Sequence, residues 1–250
     1  HLRHDPADPQ SLGNDFAETV MVDREGTVWV GTNGGGLDRI DPRTRKVAHS
    51  RHDPADPSSL AQDTVSALYQ DRSGVVWVGT SDRGAERVVA DAGGGLRFVH
   101  FRHRAGDAAS LSSDRIDSIL ETSDRSLWIG TWDGGLNRID AGRSTVTRVR
   151  NAPGARRVKA LAQDRGGALW LGTWGAGVGR LDPASGRFQA FPRRPIQPGG
   201  LSHANTNALL LDRGGMLWTG TGGGGAAVAD LDAKAFTRYP SAAEKPGGLS

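Results

Sequence analysis

The sequence predicts an all-β fold, a β-propeller of five four-stranded antiparallel blades, and three observations predict it. The tetrapeptide Trp-x-Gly-Thr occurs five times, beginning at Trp29, Trp77, Trp128, Trp170 and Trp218, with spacings of 48, 51, 42 and 48 residues. Within the repeats, alternating apolar and polar residues, as in Thr27-Val28-Trp29-Val30, are separated by turn formers. Glycine supplies 36 of 250 residues, about twice its ordinary share, and follows no collagen-like period. A single four-stranded unit cannot bury both faces of its sheet. Units stacked around an axis can, with one large Trp per unit wedged between neighbouring sheets.

The elements follow in order. In the first unit, strands are expected at 16–23, 27–32, 36–41 and 46–50. The units run approximately over 12–59, 60–110, 111–157, 158–200 and 201–248. An apolar residue stands nine positions before each Trp: Val20, Leu68, Ile119, Leu161 and Leu209. Turns at Asp23–Gly26, Asp71–Gly74, Asp164–Gly167 and Asp212–Gly215 join the first two strands, with Gly supplying the positive φ. The third unit has Arg125 at that Gly position, so its turn is expected to be looser or strained. Glycine-rich loops at Asn33–Gly36, Asp133–Gly135, Gly175–Gly177 and Gly222–Gly225 join the second and third strands. A Ser-Leu or Leu-Ser pair precedes most units, with Leu12, Leu60, Leu111, Leu201 and Leu249. The unit before Trp170 lacks the pair, which accounts for its shorter spacing.

Composition excludes several function classes. Lys and Arg number 31 against 28 Asp and Glu, and the net charge of +3 is not gathered into a basic tract, so no nucleic-acid partner is expected. Without Cys there is no disulfide framework and no thiolate metal or iron–sulfur site. Apolar runs fall far short of the ~20 residues of a membrane helix, and no direct membrane contact is expected. Nucleophile-elbow, zinc-protease and Walker patterns are missing, so no catalytic residue, cofactor or metal is assigned. The sequence shows no signal-peptide stretch with an apolar h-region, and both ends fall at nearly the same phase of the repeat. That phase suggests a slice of a longer array; a closed five-bladed ring is the alternative.

The string Leu127-Trp128-Ile129-Gly130-Thr131-Trp132-Asp133-Gly134-Gly135-Leu136-Asn137-Arg138-Ile139-Asp140 resembles the two-component regulator propeller repeat. The linkers His4 to Leu12 and His52 to Leu60 resemble that family's linkers. The resemblance implies the periplasmic sensor region of a membrane-bound bacterial signalling protein, with seven blades per propeller, a β-sandwich domain and a histidine kinase or cyclase output elsewhere in the protein. It also implies an oligosaccharide ligand, further propeller blades as partners, and homodimerisation through regions outside this chain. The segment itself is expected to be non-enzymatic. A protein-interaction scaffold without a small ligand is one alternative, and a lyase of the kind some similar propellers form is another.

Candidate sites lie on loops, since strands are used for packing. The position after Trp-x-Gly-Thr holds Asn33, Ser81, Trp132, Trp174 and Gly222. Trp132 and Trp174 are therefore expected to form an aromatic platform for a sugar face, with Asp133, Asn33 and Asp82 orienting hydroxyls. The competing reading is that both tryptophans pack on their loops or the adjacent linker. Arg39, Arg87, Arg138 and Arg180 recur at one strand-three position, which favours stacking or ion pairing within the scaffold over a basic channel. His4, His52 and His103 recur in the linkers and are not expected to bind metal, while His100 and His203 are expected at the solvated surface. Asp-Pro-x-Asp-Pro segments could supply Ca²⁺ ligands, but their turn-forming tendency explains them.

Overall fold

The computed structural model describes residues 2–91, 93–193, 200–201, 203–231 and 235–239. The expected end of the fifth unit, with Leu249, lies outside them. Blade one comprises β1 (Ala17–Val22), β2 (Val28–Thr32), β3 (Leu37–Ile40) and β4 (Val47–Ser50). Blade two comprises β5 (Val65–Gln70), β6 (Val76–Thr80), β7 (Ala85–Ala90) and β8 (Leu96–Phe101). Blade three comprises β9 (Ile116–Glu121), β10 (Leu127–Thr131), β11 (Leu136–Ile139) and β12 (Val146–Arg148). Blade four comprises β13 (Val158–Gln163), β14 (Leu169–Thr173), β15 (Gly177–Leu181) and β16 (Phe188–Phe191). Blade five comprises β17 (Thr206–Leu211), β18 (Met216–Thr221), β19 (Ala226–Asp230) and β20 (Ala235–Tyr239). Each sheet is an antiparallel meander in chain order.

The first strands pack in series, β1 on β5, β5 on β9, β9 on β13 and β13 on β17, and no comparable packing joins β17 to β1 among the described residues. The blades thus form an open arc. Exposure agrees: Trp29, Trp77, Trp128 and Trp170 are at most 5% exposed, whereas Trp218, in the last described blade, is 38% exposed. At the other end of the arc, Val20 and Val22 are both exposed.

Each position of the tetrapeptide has a structural task. The Trp indole Nε1 donates to the carboxylate of the preceding turn, Trp29 to Asp23 at 2.8 Å, Trp77 to Asp71 and Trp170 to Asp164 at 2.9 Å, and Trp218 to Asp212 at 2.8 Å. In blade three Thr122 Oγ1 replaces the carboxylate, 2.9 Å from Trp128. The Gly lets the next blade approach. A Cβ on Gly31 would lie 2.5 Å from Val65, one on Gly79 2.6 Å from Ile116, and one on Gly130 2.7 Å from Val158. The Thr hydroxyl donates to the carbonyl of the loop's last Gly, as from Thr32 to Gly36 at 2.9 Å and from Thr131 to Gly135 at 2.8 Å.

The turn arginines cross between blades. Arg24 donates to the carbonyls of Asp71 and Arg72, and Arg165 to that of Arg213. On the strands, Arg39, Arg138 and Arg180 stack over Trp29, Trp128 and Trp170 with guanidinium-to-ring distances of 6.0, 5.6 and 5.8 Å. Blade two departs from the pattern. Its Trp77 is covered by Arg143 from the β11–β12 turn, which also pairs with the buried Asp71 at 3.2 Å and Glu121 at 2.8 Å.

Nine residues after each Trp, a buried side chain latches the linker in the first three blades. Asp38 accepts from Gly13 N, Glu86 from Ala61 N and Asn137 from Ser112 N. His49 and His100 join these latches, and here the expectation for His100 needs correction. Its Nδ1 lies 3.2 Å from Glu86 Oε1 and its Nε2 2.9 Å from the Pro57 carbonyl, so it is part of the packing rather than a solvated residue. His203 is likewise engaged, accepting from Asn205 N at 3.0 Å. The linker residues His4, His52 and His103 bind the carbonyls of Leu12, Leu60 and Leu111. Linker aspartates accept from nearby N–H groups, Asp5 from Ala7 and Asp8 from Gln10. These are Asx turns.

The third turn is strained rather than loose. It keeps its hydrogen bonds, Arg125 N to Thr122 O and Thr122 N to Ser126 O, both 2.9 Å, but holds Arg125 at φ +65°. The corresponding glycines Gly26, Gly74, Gly167 and Gly215 have φ between +86° and +91°. Arg125→Gly is expected to stabilise the fold by about 0.5–1 kcal/mol, the relief of left-handed strain exceeding the entropy cost of Gly, and a urea midpoint measures it. An unchanged midpoint would show that the turn tolerates Arg without cost.

Burial pushes the Glu86 carboxyl up from 4.5 to about 7, against the opposing Ala61 N–H and Arg102 charge. The folded chain therefore holds this proton more tightly than the unfolded chain. Its stabilising contribution is complete below about pH 4.5 and is lost as pH rises through about 7. Across that window the loss is roughly 2–3 kcal/mol. Glu86→Gln, with His100 kept, is expected to flatten the stability–pH curve between pH 5 and 8, as read by denaturant midpoints at several pH values. Parallel curves for the two proteins would refute the assignment.

Candidate functional site

The site is built on the face of the arc where first strands begin and the loops between second and third strands cross. In every blade the residue after Trp-x-Gly-Thr donates its N–H to the carbonyl thirteen residues before the Trp. The pairs are Asn33 to Phe16, Ser81 to Thr64, Trp132 to Arg115, Trp174 to Arg157 and Gly222 to Asn205. One backbone bond therefore sets two chemically variable positions side by side in each blade.

A third variable position joins them. Each first strand carries a β-bulge, with the register skipping one residue: Glu18, Ser66, Asp117, Lys159 and Asn207. A bulge leaves its extra residue out of the ladder and redirects its side chain. The redirected groups meet neighbours across the blade seams: Ser66 Oγ donates to the Ile116 carbonyl at 2.5 Å, and Lys159 Nζ lies 2.6 Å from Asp117 Oδ1.

At the seam between blades three and four these positions converge. Trp132 and Trp174 have ring centroids 5.6 Å apart and planes inclined at 49°, a corner rather than a flat floor. Trp132 is half-buried and holds three cations over its ring, Arg115 at 5.2 Å, Arg157 at 4.9 Å and Lys159 at 5.4 Å. Trp174 is 37% exposed and presents the free ring surface. Asp133 is exposed beside Trp132, and its backbone carbonyl accepts from Arg156 Nε at 3.1 Å.

The other expected residues sit on the same loop face but in other blades. Asn33 is on the blade-one loop and donates to Glu18 at 3.0 Å; Asp82, on the blade-two loop, pairs with Arg83 at 3.7 Å. Sequence reasoning missed Arg115, Arg157, Lys159 and Asp117. The available signal was that their positions change chemistry from blade to blade while the scaffold positions repeat.

A cleft of about 700 Å³ lies elsewhere, between blades four and five near the Asp164 and Asp212 turns, lined by Trp170, Arg180, Asp182 and Met216. We place the site at the tryptophan corner instead, because the cleft is walled by the Trp–Arg stack that serves packing in other blades. Among the described residues, no group of three or more His, Asp or Glu is placed to hold a metal.

Fold and candidate site together define a propeller whose recurring positions build the blades and whose variable positions gather on the loop face. The two-component regulator propeller repeat matches residues 11–34, 59–82 and 110–133, the linker, first strand and second strand of the first three blades. Three of the five blades thus carry a segment that matches this repeat. No curated protein matches it. Among solved structures, it is similar to the extracellular domain assigned to the hybrid two-component system BT3049 of B. thetaiotaomicron, with 21% identity, a TM-score of 0.79, and coverage of 96% of this chain and 30% of that one. The extracellular domain assigned to the one-component system BT4673 of the same organism gives 19% identity, a TM-score of 0.71, and coverage of 94% and 31%. Virginiamycin B lyase from Staphylococcus aureus gives 18%, 0.67, and coverage of 89% and 69%. These likenesses establish the propeller fold, and the chain spans about 30% of the length of the first two.

If Trp174 serves the site rather than the scaffold, removing it costs little. Trp174→Ala is expected to lower stability by less than about 1 kcal/mol, whereas Trp77→Ala, at a fully buried position, costs about 3–5 kcal/mol. Urea unfolding of both variants checks this, and equal losses would make Trp174 a packing residue.

Proposed function

We propose that this chain is the ligand-binding part of the periplasmic sensor region of a bacterial transmembrane signalling protein, and that its ligand is a carbohydrate held on the loop face. The observation that carries the reading is the Trp132–Trp174 corner. It is an exposed aromatic surface on a loop that nothing in the repeat requires, set among polar groups at a blade seam. Aromatic rings of this kind stack on the apolar C–H face of a sugar, while neighbouring polar groups fix hydroxyl orientation. The repeat family and the two similar extracellular domains support the location and the sensing role. The segment acts by binding, not by catalysis, and the output, a histidine kinase or cyclase, lies elsewhere in the protein. Signalling then follows if the ligand binds one arrangement of the assembled sensor better than another.

A thermal-shift screen of the purified chain against neutral and acidic oligosaccharides tests the reading. At 100 times its dissociation constant a ligand adds about 2.7 kcal/mol, or roughly 5–10 °C in the midpoint of a domain this size. The expected result is a shift that vanishes in the Trp132→Ala/Trp174→Ala double variant. A shift that survives both substitutions places the site elsewhere, and no shift in a cooperatively melting chain favours an interaction scaffold.

A further inference from the structure

The corner carries more positive charge than its scaffold uses. Arg115, Arg156, Arg157 and Lys159 surround it, against the carboxylates of Asp117 and Asp133. Lys159 is spoken for, since its Nζ is paired with Asp117 at 2.6 Å. Arg115 and Arg157 differ: both stack on Trp132, and neither guanidinium has a carboxylate within ion-pair distance among the described residues. Scaffold arginines in the same two blades are neutralised where they stack, Arg138 by Asp124 at 2.8 Å and Arg180 by Asp164 at 3.5 Å.

Position within the repeat separates the two sets. Thirteen residues before the Trp, the five blades carry Phe16, Thr64, Arg115, Arg157 and Asn205. Arg occurs there only in the two blades that also carry a loop Trp. A guanidinium stacked on an indole keeps its N–H donors at its edge, free for an anion, and that planar fork matches a carboxylate or sulfate. The stack also holds the side chain in place before binding, which reduces the ordering cost.

We propose that Arg115 and Arg157 make this site selective for an acidic saccharide, with the sugar face on Trp174 and its carboxylate or sulfate on the two guanidinium groups. This rests on the saccharide reading of the same site and deepens it. Asp133 adds discrimination by repelling an anion that sits away from the arginines.

The test uses the whole chain and minimal probes. Arginine Nε–Hε and indole N–H resonances are followed by NMR while glucuronate, glucose, glucose 6-sulfate, inorganic sulfate and AMP are titrated separately. A monosaccharide of this size is expected to bind in the range of about 1–10 mM at best, within reach of the method. The expected result is that glucuronate and glucose 6-sulfate perturb the Trp132, Trp174, Arg115 and Arg157 signals at concentrations about 10-fold or more below glucose. The preference should fall as ionic strength rises. Arg115→Gln/Arg157→Gln should remove the preference while leaving the spectrum otherwise folded, and Arg115→Lys/Arg157→Lys should restore part of it by charge without the fork.

Equal binding of glucose and glucuronate through Trp174 would overturn the acidic selectivity and leave the saccharide reading standing. Perturbation by inorganic sulfate or AMP as strong as by glucuronate would make the arginines a general anion or nucleotide site and overturn the saccharide part. Carboxylate-versus-sulfate identity is read from the two acidic sugars directly. No perturbation by any probe overturns both readings.

Discussion

The fold depends on one hydrogen bond made five times, from the indole N–H of the motif Trp to an oxygen six residues earlier. A Trp wedged between two sheets must bury a polar N–H, and leaving it unpaired costs about 1–3 kcal/mol. The turn carboxylate satisfies it and organises the turn with its other oxygen: Asp23 Oδ1 accepts from Glu25 N and Thr27 N while Oδ2 takes the indole. Turn shape, ring orientation and blade spacing are thus tied to a single side chain. Two residues beyond the Trp, Gly removes the Cβ that would strike the next blade, so the ring sets the wedge and the Gly sets the distance.

Blade three shows what happens when that carboxylate moves. Thr122 takes the indole, and Asp124, two residues on, takes over the turn, binding Thr122 Oγ1 at 2.6 Å and Ser126 N at 3.1 Å. The shifted Asp also captures Arg138, which already stacks on Trp128. The turn closes with its bonds intact, and the residual cost appears in the backbone of Arg125. Asp71 in blade two carries the heaviest load of the series. Burial pushes its carboxyl up, but hydrogen bonds from Ser73, Trp77, Val75 and Arg143 outweigh burial and hold it below the ordinary range.

What could be read from the sequence was whatever depends on local chain geometry. The five motif tryptophans, the four-strand meander, the glycine turns, the odd turn at Arg125 and the stacking of Arg39, Arg138 and Arg180, though not of Arg87, all follow from spacing and residue type. What could not be read was whatever depends on a neighbour distant in the chain. Arg143 covers Trp77 from the next blade, a substitution for Arg87 that no spacing reveals. His100 looked solitary because its partner Glu86 is fourteen residues away, on the paired strand, and its other partner is the Pro57 carbonyl in the linker. The cations around Trp132 were hidden for the same reason: Arg157 and Lys159 belong to a different blade, and the bulge that redirects Lys159 has no residue signature of its own.

A repeat protein gives function a defined place. Positions that set blade spacing must recur, because each seam solves the same packing problem. Positions released from that problem are free to vary, and three such positions per blade are brought together by two backbone devices, the loop-to-strand hydrogen bond and the first-strand bulge. Chemistry placed there costs the scaffold little, since none of the three side chains belongs to the Trp–carboxylate clamp. The Trp132 corner also spans a seam, with Asp117 and Lys159 paired across adjacent first strands. A ligand bound at this point touches two blades at once. On the proposed reading, a ligand that bound an open and a closed seam with different energies would meet the physical condition for a propeller to report occupancy.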